Sequence, residues 1–572
     1  MWVVLLSIPS VANATRWQDL SDFERQTVER VLASRQLVVE PNPDGKTIQD
    51  MLIDTREVFE EEDGFVTILN VLHTTTQDEV LLREMLLKPG DVYDHARIAD
   101  TERNLRNPFL RSIVVILPVQ RQNAPSLDTV DLLVVTRDVW SLRANTNFQT
   151  TGSALNFLSM SLSENNLAGL NKGAALTFLL QQATMDFGAR YEDPRLVGSR
   201  HTFIVDSAII LNRTSFEAEG AYGGFSFGVP LYSRDTRWGY SVGFAARQET
   251  FRDYVGTTIR TFDAPSTLEK EQLDRMYDWF GMSGSVIGQR AFGTDIRHVI
   301  RFGIGFSFSD PSLPDNFSAG KQATEDFRRY VMAKDEYSGY FLLGYDFFVH
   351  DYIELYDYDT FALSEEIRLG PSVSATATWA SVALFRSDVN YLRLGGSVGY
   401  TFGIGDDALA YLSSGVSSRL EGSFGDTAIS WSGGFVTPSW GGAGRLFGTT
   451  LGEYRFDNRR NAQVTLGGDS GLRGLQSRSL IGEHLLRANL EYRSTSFRLW
   501  VLRFGGVLFY DVGSAWDTGS DPQFFHTLGI GARVLILPLN RNVIRVDYGI
   551  PLNGDRVGFQ HGVVTAGFEQ AF

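Results

Sequence analysis

The chain has 572 residues, rich in Gly (56) and aromatic residues (12%) and low in charged ones (21%). That balance suits a β-rich chain with many turns better than a helical or disordered one. The lack of Cys excludes a disulfide scaffold, thiolate metal sites and Cys nucleophiles, and the formal net charge of −16 argues against a general nucleic-acid binder.

Residues 1–14 read as an export signal. Trp2 to Ile8 is a short apolar stretch, and Ala12-Asn13-Ala14 is an A-x-A cleavage pattern, although no basic residues precede it. No later run approaches the ~18 apolar residues that a transmembrane helix needs. The mean hydropathy of −0.11 resembles a soluble protein. A transmembrane β-barrel has the same modest average, because lipid-facing and lumen-facing residues alternate.

In residues 15–45, Leu20, Phe23, Val28, Val31 and Leu32 recur at helical spacing, predicting a helix over about 19–34. Pro41-Asn42-Pro43-Asp44-Gly45 breaks it. Residues 46–139 read as one small α/β domain in the order β-β-α-α-β-β. Strands are expected at Ile48 to Phe59, Phe65 to Leu72, Ile113 to Val119 and Val130 to Thr136. Between them, Thr75 or Thr76 is placed to cap a helix carrying Val80, Leu81 and Met85, which Lys88-Pro89-Gly90-Asp91 ends. Asp94 is placed to cap a second helix carrying Ile98 and Leu105.

From residue 140 to 572 the texture changes to period two. In 391–404, Leu392, Leu394, Val398, Tyr400, Phe402 and Ile404 share one face, opposite Arg393, Ser397, Thr401 and several Gly. Residues 301–308 and 527–536 repeat the pattern. Aromatic-heavy apolar faces opposite Arg, Ser, Thr and Gly favour lipid outside and a polar lumen inside. Segmentation yields about 20 strands. Connections after even strands (230–236, 291–297, 406–407) are short, and those after odd strands (251–276, 311–335, 456–483) are long, as an up-and-down barrel requires. Segment 351–364 is too long for its expected side. The last strand runs from Val563 to Phe572, with Val564, Ala566, Phe568 and Phe572 on one face and Gln570 interrupting it.

One loop stands out: Gly467-Gly468-Asp469-Ser470-Gly471-Leu472-Arg473-Gly474-Leu475. The next strands carry Asn489-Leu490-Glu491-Tyr492 and Phe509-Tyr510-Asp511-Val512-Gly513. Here the sequence resembles the bacterial surface antigen superfamily, the BamA- and TamA-type outer-membrane proteins. Their (V/I)RG(F/Y) motif sits at the tip of a long loop folded back into the lumen. Leu472-Arg473-Gly474-Leu475 keeps Arg-Gly and departs at both flanks. The resemblance implies that Arg473 pairs with Glu491 and Asp511.

Strand parity agrees. With Leu486, Ala488, Leu490 and Tyr492 facing lipid, Arg487, Asn489, Glu491 and Arg493 face the lumen, and the same count turns Asp511 inward. Charge-assisted bonds there would hold the loop by ~1.5–3 kcal/mol. Asn165 to Gly169, Tyr191 to Arg195 and Thr136 to Leu142 resemble the family's first barrel hairpins and its junction with the last POTRA domain. Residues 47–138, with Leu86 to Tyr93 and Glu102 to Arg106, resemble a single POTRA. The resemblance implies a barrel of about 16 strands, against about 20 segments counted.

Catalytic signatures carry little. G-x-S-x-G occurs at Gly224 to Gly228 and Gly395 to Gly399, both inside period-two strands and not on a strand-to-helix elbow. The eight His show no paired ligand spacing. No cofactor, metal or nucleic-acid partner is expected, and Glu60-Glu61-Glu62-Asp63 reads as a solvated turn.

The resemblance implies an assembly or translocation factor of the Gram-negative outer membrane, not an enzyme, with its POTRA domain in the periplasm. Its partners would be unfolded outer-membrane or secreted polypeptides, outer-membrane lipid and periplasmic accessory proteins. A client would add a strand to a sheet edge of the POTRA. The family also implies a weak seam between the first strand (about Leu142 to Thr150) and the last, to which Gly562 and Gly567 are suited. A single POTRA suggests a specialised role. The alternative is a passive or solute-selective pore. A membrane enzyme lacks a credible Ser-His-acid set, and an adhesin would depend on loops 251–276 and 311–335.

Overall fold

The computed structural model describes residues 17, 20, 22–58, 74–106, 110–123, 126–268, 270–356, 358–359, 364–440, 442–468, 470–499, 502–536, 543–568 and 570–571. The export signal, the strand at 65–72, the acidic run at 60–63 and Phe572 lie outside these residues.

The N-terminal part contains α1 (Asp22–Arg35), β1 (Leu37–Val39), β2 (Thr47–Arg56), α2 (Asp78–Glu84), α3 (His95–Leu105), β3 (Arg111–Arg121) and β4 (Thr129–Asp138). The sheet order is β1-β3-β4-β2, with β2 parallel to β4 and the other pairs antiparallel. A parallel pair needs a crossover, and α2 and α3 supply it. Alternation along β3 and β4 splits the core in two. Val114, Ile116, Leu132 and Val134 meet Leu81, Met85, Ile98 and Leu105 of α2 and α3 on one face. On the other, Val115, Leu117, Leu133 and Val135 meet Val28, Val31 and Leu32 of α1. Burial on both faces accounts for the unbroken apolar runs in these strands.

Asp94 caps α3, its side chain accepting from the amides of Ala96 and Arg97. The Thr cap expected for α2 does not form. The N-cap is Gln77, without a side-chain bond, and Thr76 instead bonds the carboxylate of Asp138 through its amide (2.7 Å) and hydroxyl (3.0 Å). A buried carboxylate on β4 thus competes successfully for the Thr76 donors.

The remainder closes into an antiparallel barrel of 20 strands among the described residues. They are β5 (Leu142–Thr151), β6 (Ala154–Glu164), β7 (Gly173–Leu180), β8 (Thr184–Asp193), β9 (Thr202–Asn212), β10 (Ala218–Val229), β11 (Trp238–Arg252), β12 (Met276–Phe292), β13 (Ile296–Ser312) and β14 (Glu336–Val349). There follow β15 (Gly370–Ala380), β16 (Tyr391–Gly403), β17 (Leu409–Glu421), β18 (Ser423–Val436), β19 (Gly444–Phe456), β20 (His484–Ser494), β21 (Leu502–Trp516), β22 (Phe525–Ile536), β23 (Ile544–Pro551) and β24 (Val563–Phe568). The family-based expectation of about 16 strands is therefore corrected to 20. A loop motif does not determine how many hairpins the wall contains, whereas each period-two segment supplies one strand. Phe302, Ile304, Val398, Tyr400, Phe402, Leu528 and Ile530 are exposed on the outer face.

Connections 230–237, 293–295 and 404–408 lie on the rim next to the N-terminal domain. The longer 253–275, 313–335 and 457–483 lie on the far rim, where α4 (Lys321–Tyr330) packs Phe327 with Val331 and Met332 against Tyr277. The long segment on the domain side, 350–369, forms an antiparallel pair of arms, Tyr352–Tyr356 with Ser364–Arg368. Ile353 and Leu355 pack on Leu409, Val436 and Phe447. These three wall residues are registered through Val436 with one another, and Phe447 is registered with Glu491. Directly paired residues share a face, so the arms lie inside the lumen, where extra length is accommodated.

Candidate functional site

The loop between β19 and β20 starts at the far rim and doubles back through a short pair, Val464–Leu466 with Leu480–Gly482. Leu466, Leu472 and Leu485 are buried together, with Val464, Leu475, Leu480, Ala515 and Phe525 against them. Apolar packing thus seats the loop on the inner wall before any charge is considered. The two leucines flanking Arg473-Gly474 belong to that packing.

Arg473 is only 1% exposed. Its backbone amide and Nε donate to Asp511 Oδ2 at 3.1 and 2.9 Å, and Nη2 donates to Oδ1 at 2.9 Å. Nη1 donates to Glu491 Oε2 at 2.5 Å and lies 3.5 Å from Asp547 Oδ2. The guanidinium carbon sits 3.6 Å from the centroid of the Phe509 ring. The rigid fork of arginine donors meets two carboxylates at once, which the point charge of lysine does not do.

The carboxylates have further partners. Asn489 Nδ2 donates to Asp511 Oδ1 (2.8 Å) and to the Gly471 carbonyl (2.7 Å). Arg493 Nε donates to Glu491 Oε1 (2.7 Å), and Arg533 Nη1 to Asp547 Oδ1 (2.6 Å). Three buried acids are therefore matched by guanidinium groups, which offsets the heavy cost of desolvating charge.

Backbone contact completes the seat. Gly474 has φ +105°, and a Cβ there would lie 2.9 Å from the Gly549 carbonyl carbon. A Cβ on Gly549 would lie 2.4 Å from the Arg473 carbonyl carbon. Loop and β23 touch main chain to main chain, which a side chain would prevent. At the loop root, Gly467 (φ +133°) and Gly468 (φ +56°) are also left-handed, and a Cβ on Gly468 would lie 2.6 Å from Thr151 Oγ1 on β5. Gly513 lines the wall beside Leu466.

Of the residues singled out in the sequence, Arg473, Gly474, Leu472, Leu475, Glu491, Asp511, Gly467, Gly468 and Gly513 are thus all within one constellation. Asp547, Arg533 and Phe509 were missed. The alternation that turned Glu491 inward also turns Asp547 inward, because Ile544, Val546, Tyr548 and Ile550 occupy the other parity. Ser226 and Ser397 of the G-x-S-x-G matches lie within β10 and β16.

Among the described residues the barrel closes between β24 and β5 over a short register, Thr565↔Thr151, Ala566↔Thr150 and Gly567↔Gln149, with the Gly152 amide also donating to the Val564 carbonyl at 2.9 Å. By contrast, β11 and β12 pair continuously from Trp238↔Arg290 to Arg252↔Met276. Phe568 meets Phe148 edge-to-face across the closure, with ring centroids 5.7 Å apart.

Fold and site together define an outer-membrane β-barrel with an inward-folded, charge-anchored loop and an α/β domain on one rim. No family model matches the sequence. Over 202 residues the chain is 30% identical to a "Putative outer membrane protein assembly factor" of Treponema pallidum (strain Nichols), a match covering 34% of this chain and 23% of that longer relative. Over that stretch the chain is similar in sequence to a protein so named, and it spans about a quarter of that relative's length. Among solved structures, CdiB from Acinetobacter baumannii aligns with TM-score 0.44 at 11% identity, covering 95% of this chain and 80% of that one. BamA from Haemophilus ducreyi lacking POTRA domains 1–3 aligns with TM-score 0.39 at 11% identity, covering 98% and 95%.

Proposed function

We propose that this protein assists the insertion or translocation of polypeptide clients at the outer membrane, with residues 46–139 acting as a single POTRA domain and Arg473 as the lock of the lumenal loop. The short closure between β24 and β5 is the observation that carries this reading. Among the described residues few ladder bonds hold it, so it is where the wall opens at least cost. The lock ties together β20, β21 and β23, through Glu491, Asp511 and Asp547, and so stiffens the wall leading up to that closure. Opening is thereby directed to the β24–β5 edge, where an incoming strand finds unpaired backbone groups. Among the described residues the N-terminal sheet ends in β1 on one side and in β2 on the other, and residues 46–48 at the start of β2 already bond the 90–93 turn.

The test uses purified protein in liposomes with a urea-unfolded outer-membrane protein added outside, followed by protease protection. Gln149→Cys with Gly567→Cys places a cross-link across the closure of a protein that has no native Cys. Insertion faster than in empty liposomes, stopped by oxidation and restored by reduction, supports the proposal. No acceleration with several clients would favour the passive pore instead.

A further inference from the structure

The lumen contains a second intruding element besides the Arg473 loop. We infer that the arms Tyr352–Tyr356 and Ser364–Arg368 form a second plug, entering from the side of the N-terminal domain and coupled to the Arg473 lock through Arg493. The inference takes Arg473 as the lock of its loop but does not depend on client insertion.

Three observations carry it. The first is the seat. Ile353 and Leu355 are buried against the lumenal faces of Leu409, Val436 and Phe447, with Ile367 and Leu369 beside them. The wall is smoothed to receive them, since a Cβ on Gly403 would lie 3.1 Å from Leu369 Cδ1.

The second is the junction. Arg493 Nη1 donates to the carbonyl of Tyr358, between the arms, at 2.8 Å, while its Nε donates to Glu491 Oε1 at 2.7 Å. Its guanidinium lies 3.7 Å from the centroid of Phe447, whose ring is 5.8 Å from that of Tyr358. Glu491 therefore spends one oxygen on Arg493 and the other on Arg473. A single buried carboxylate joins an element from one rim to an element from the other.

The third is the base. The guanidinium of Arg103, on α3, sits 5.4 Å from the ring centroid of Tyr352. The N-terminal domain thus touches the foot of the arms.

The physical consequence is coupling. A buried charge network is stable when fully paired and costly when partly paired. If the arms leave, Arg493 loses its carbonyl and the apolar surroundings that hold it in place, and Glu491 loses one of its two close donors. The Glu491 end of the Arg473 lock is then weakened. Force or binding on the N-terminal domain reaches the far-rim loop by this route, and the two plugs open together.

The experiment uses the full-length protein in proteoliposomes and in planar bilayers. Ser470→Cys, in the Arg473 loop, supplies a sole thiol for labelling by a water-soluble maleimide. Leu355→Asp expels the arms by burying a carboxylate against Phe447 and Leu409. Arg493→Gln cuts the junction while leaving the arms their apolar seat. Leu355→Asp is expected to raise channel opening and to speed labelling of Ser470→Cys about tenfold, corresponding to ~1.4 kcal/mol of lost lock stability. Arg493→Gln is expected to speed labelling likewise, with a smaller rise in opening. Unchanged labelling in both variants overturns the coupling, and unchanged opening in Leu355→Asp overturns the plug. Heat-modifiable gel mobility reports whether each barrel has folded. Should Leu355→Asp fail to fold, Leu355→Ala is read by the same two measurements and with the same outcomes.

Discussion

Asp100 of α3 and Arg234 of the β10–β11 connection are bound twice across 134 positions of sequence. The Arg234 amide donates to Oδ2 at 2.8 Å and its Nε to Oδ1 at 3.0 Å, and both side chains are buried. Nearby, Asn104 Nδ2 donates to the Tyr232 carbonyl at 2.9 Å, and Glu84 accepts from Arg195 and Arg200. The N-terminal domain is therefore clamped to the rim by charges that two separate chain regions contribute.

Removing Asp100 takes from the buried Arg234 its close partner at both the amide and Nε, leaving the guanidinium only Asp295 Oδ1, at 3.5 Å, as a carboxylate partner among the described residues. Asp100→Ala is expected to cost ~3–5 kcal/mol of docking energy, the usual penalty for breaking a buried pair. Hydrogen exchange is the measurement: amides of His95–Leu105 should exchange faster while β12 and β13 remain protected. Unchanged protection in α3 would show that the pair does not hold the domain.

The same rim carries a pH response. His350, just beyond β14, is pushed down to about 4 by burial, and by the positive charges of Arg234, Arg103 and Arg297, against an opposing contribution from Asp100. Its folded value lies below its unfolded one, so between the ordinary His value of 6.5 and about 4 the unfolded state takes up more protons. Stability of this region is complete above that window and falls as pH falls through it. Protection of α3, corrected for intrinsic exchange, should weaken from pH 7 to pH 5, and His350→Gln should flatten the response. An identical slope in the variant would assign it to another group.

Within the lock, the acids are unequal. Asp511 accepts from Arg473 N, Nε and Nη2 and from Asn489, whereas Asp547 is satisfied chiefly by Arg533 at 2.6 Å. Arg473→Ala is expected to cost ~3–5 kcal/mol by leaving buried acids short of a partner. Asp511→Asn should release the loop to externally added protease more than Asp547→Asn does. Equal cleavage rates would mean that hydrogen-bond count does not rank them.

Shape matters as well as charge. Gly549→Ala places a methyl 2.4 Å from the Arg473 carbonyl carbon, and Gly474→Ala adds strain at φ +105°. Positive φ alone costs a non-glycine residue ~1–3 kcal/mol. Both variants should expose the loop to protease with every charge of the lock intact. A loop as protected as in the parent would show that the backbone contact yields freely.

Alternation of period two decides, from the sequence alone, which side chains of a strand face lipid and which face the lumen. That was enough to turn Glu491 and Asp511 towards a returning loop and to count about 20 segments. It rests on local geometry, since successive Cβ atoms on a strand point to opposite faces whatever the strand's neighbours. Which inward residues meet is a different matter. Asp547 joins Arg473 because β23 runs beneath the loop, Thr76 abandons its helix for Asp138 on β4, and Phe447 with Arg493 receives the 350–369 segment. Those encounters depend on the closure of the wall and on which loops turn inward, and they involve residues from 62 to 135 positions apart in sequence. The pattern of each strand determined its faces; only the closed barrel, by bringing distant faces to one buried volume, decided the partners.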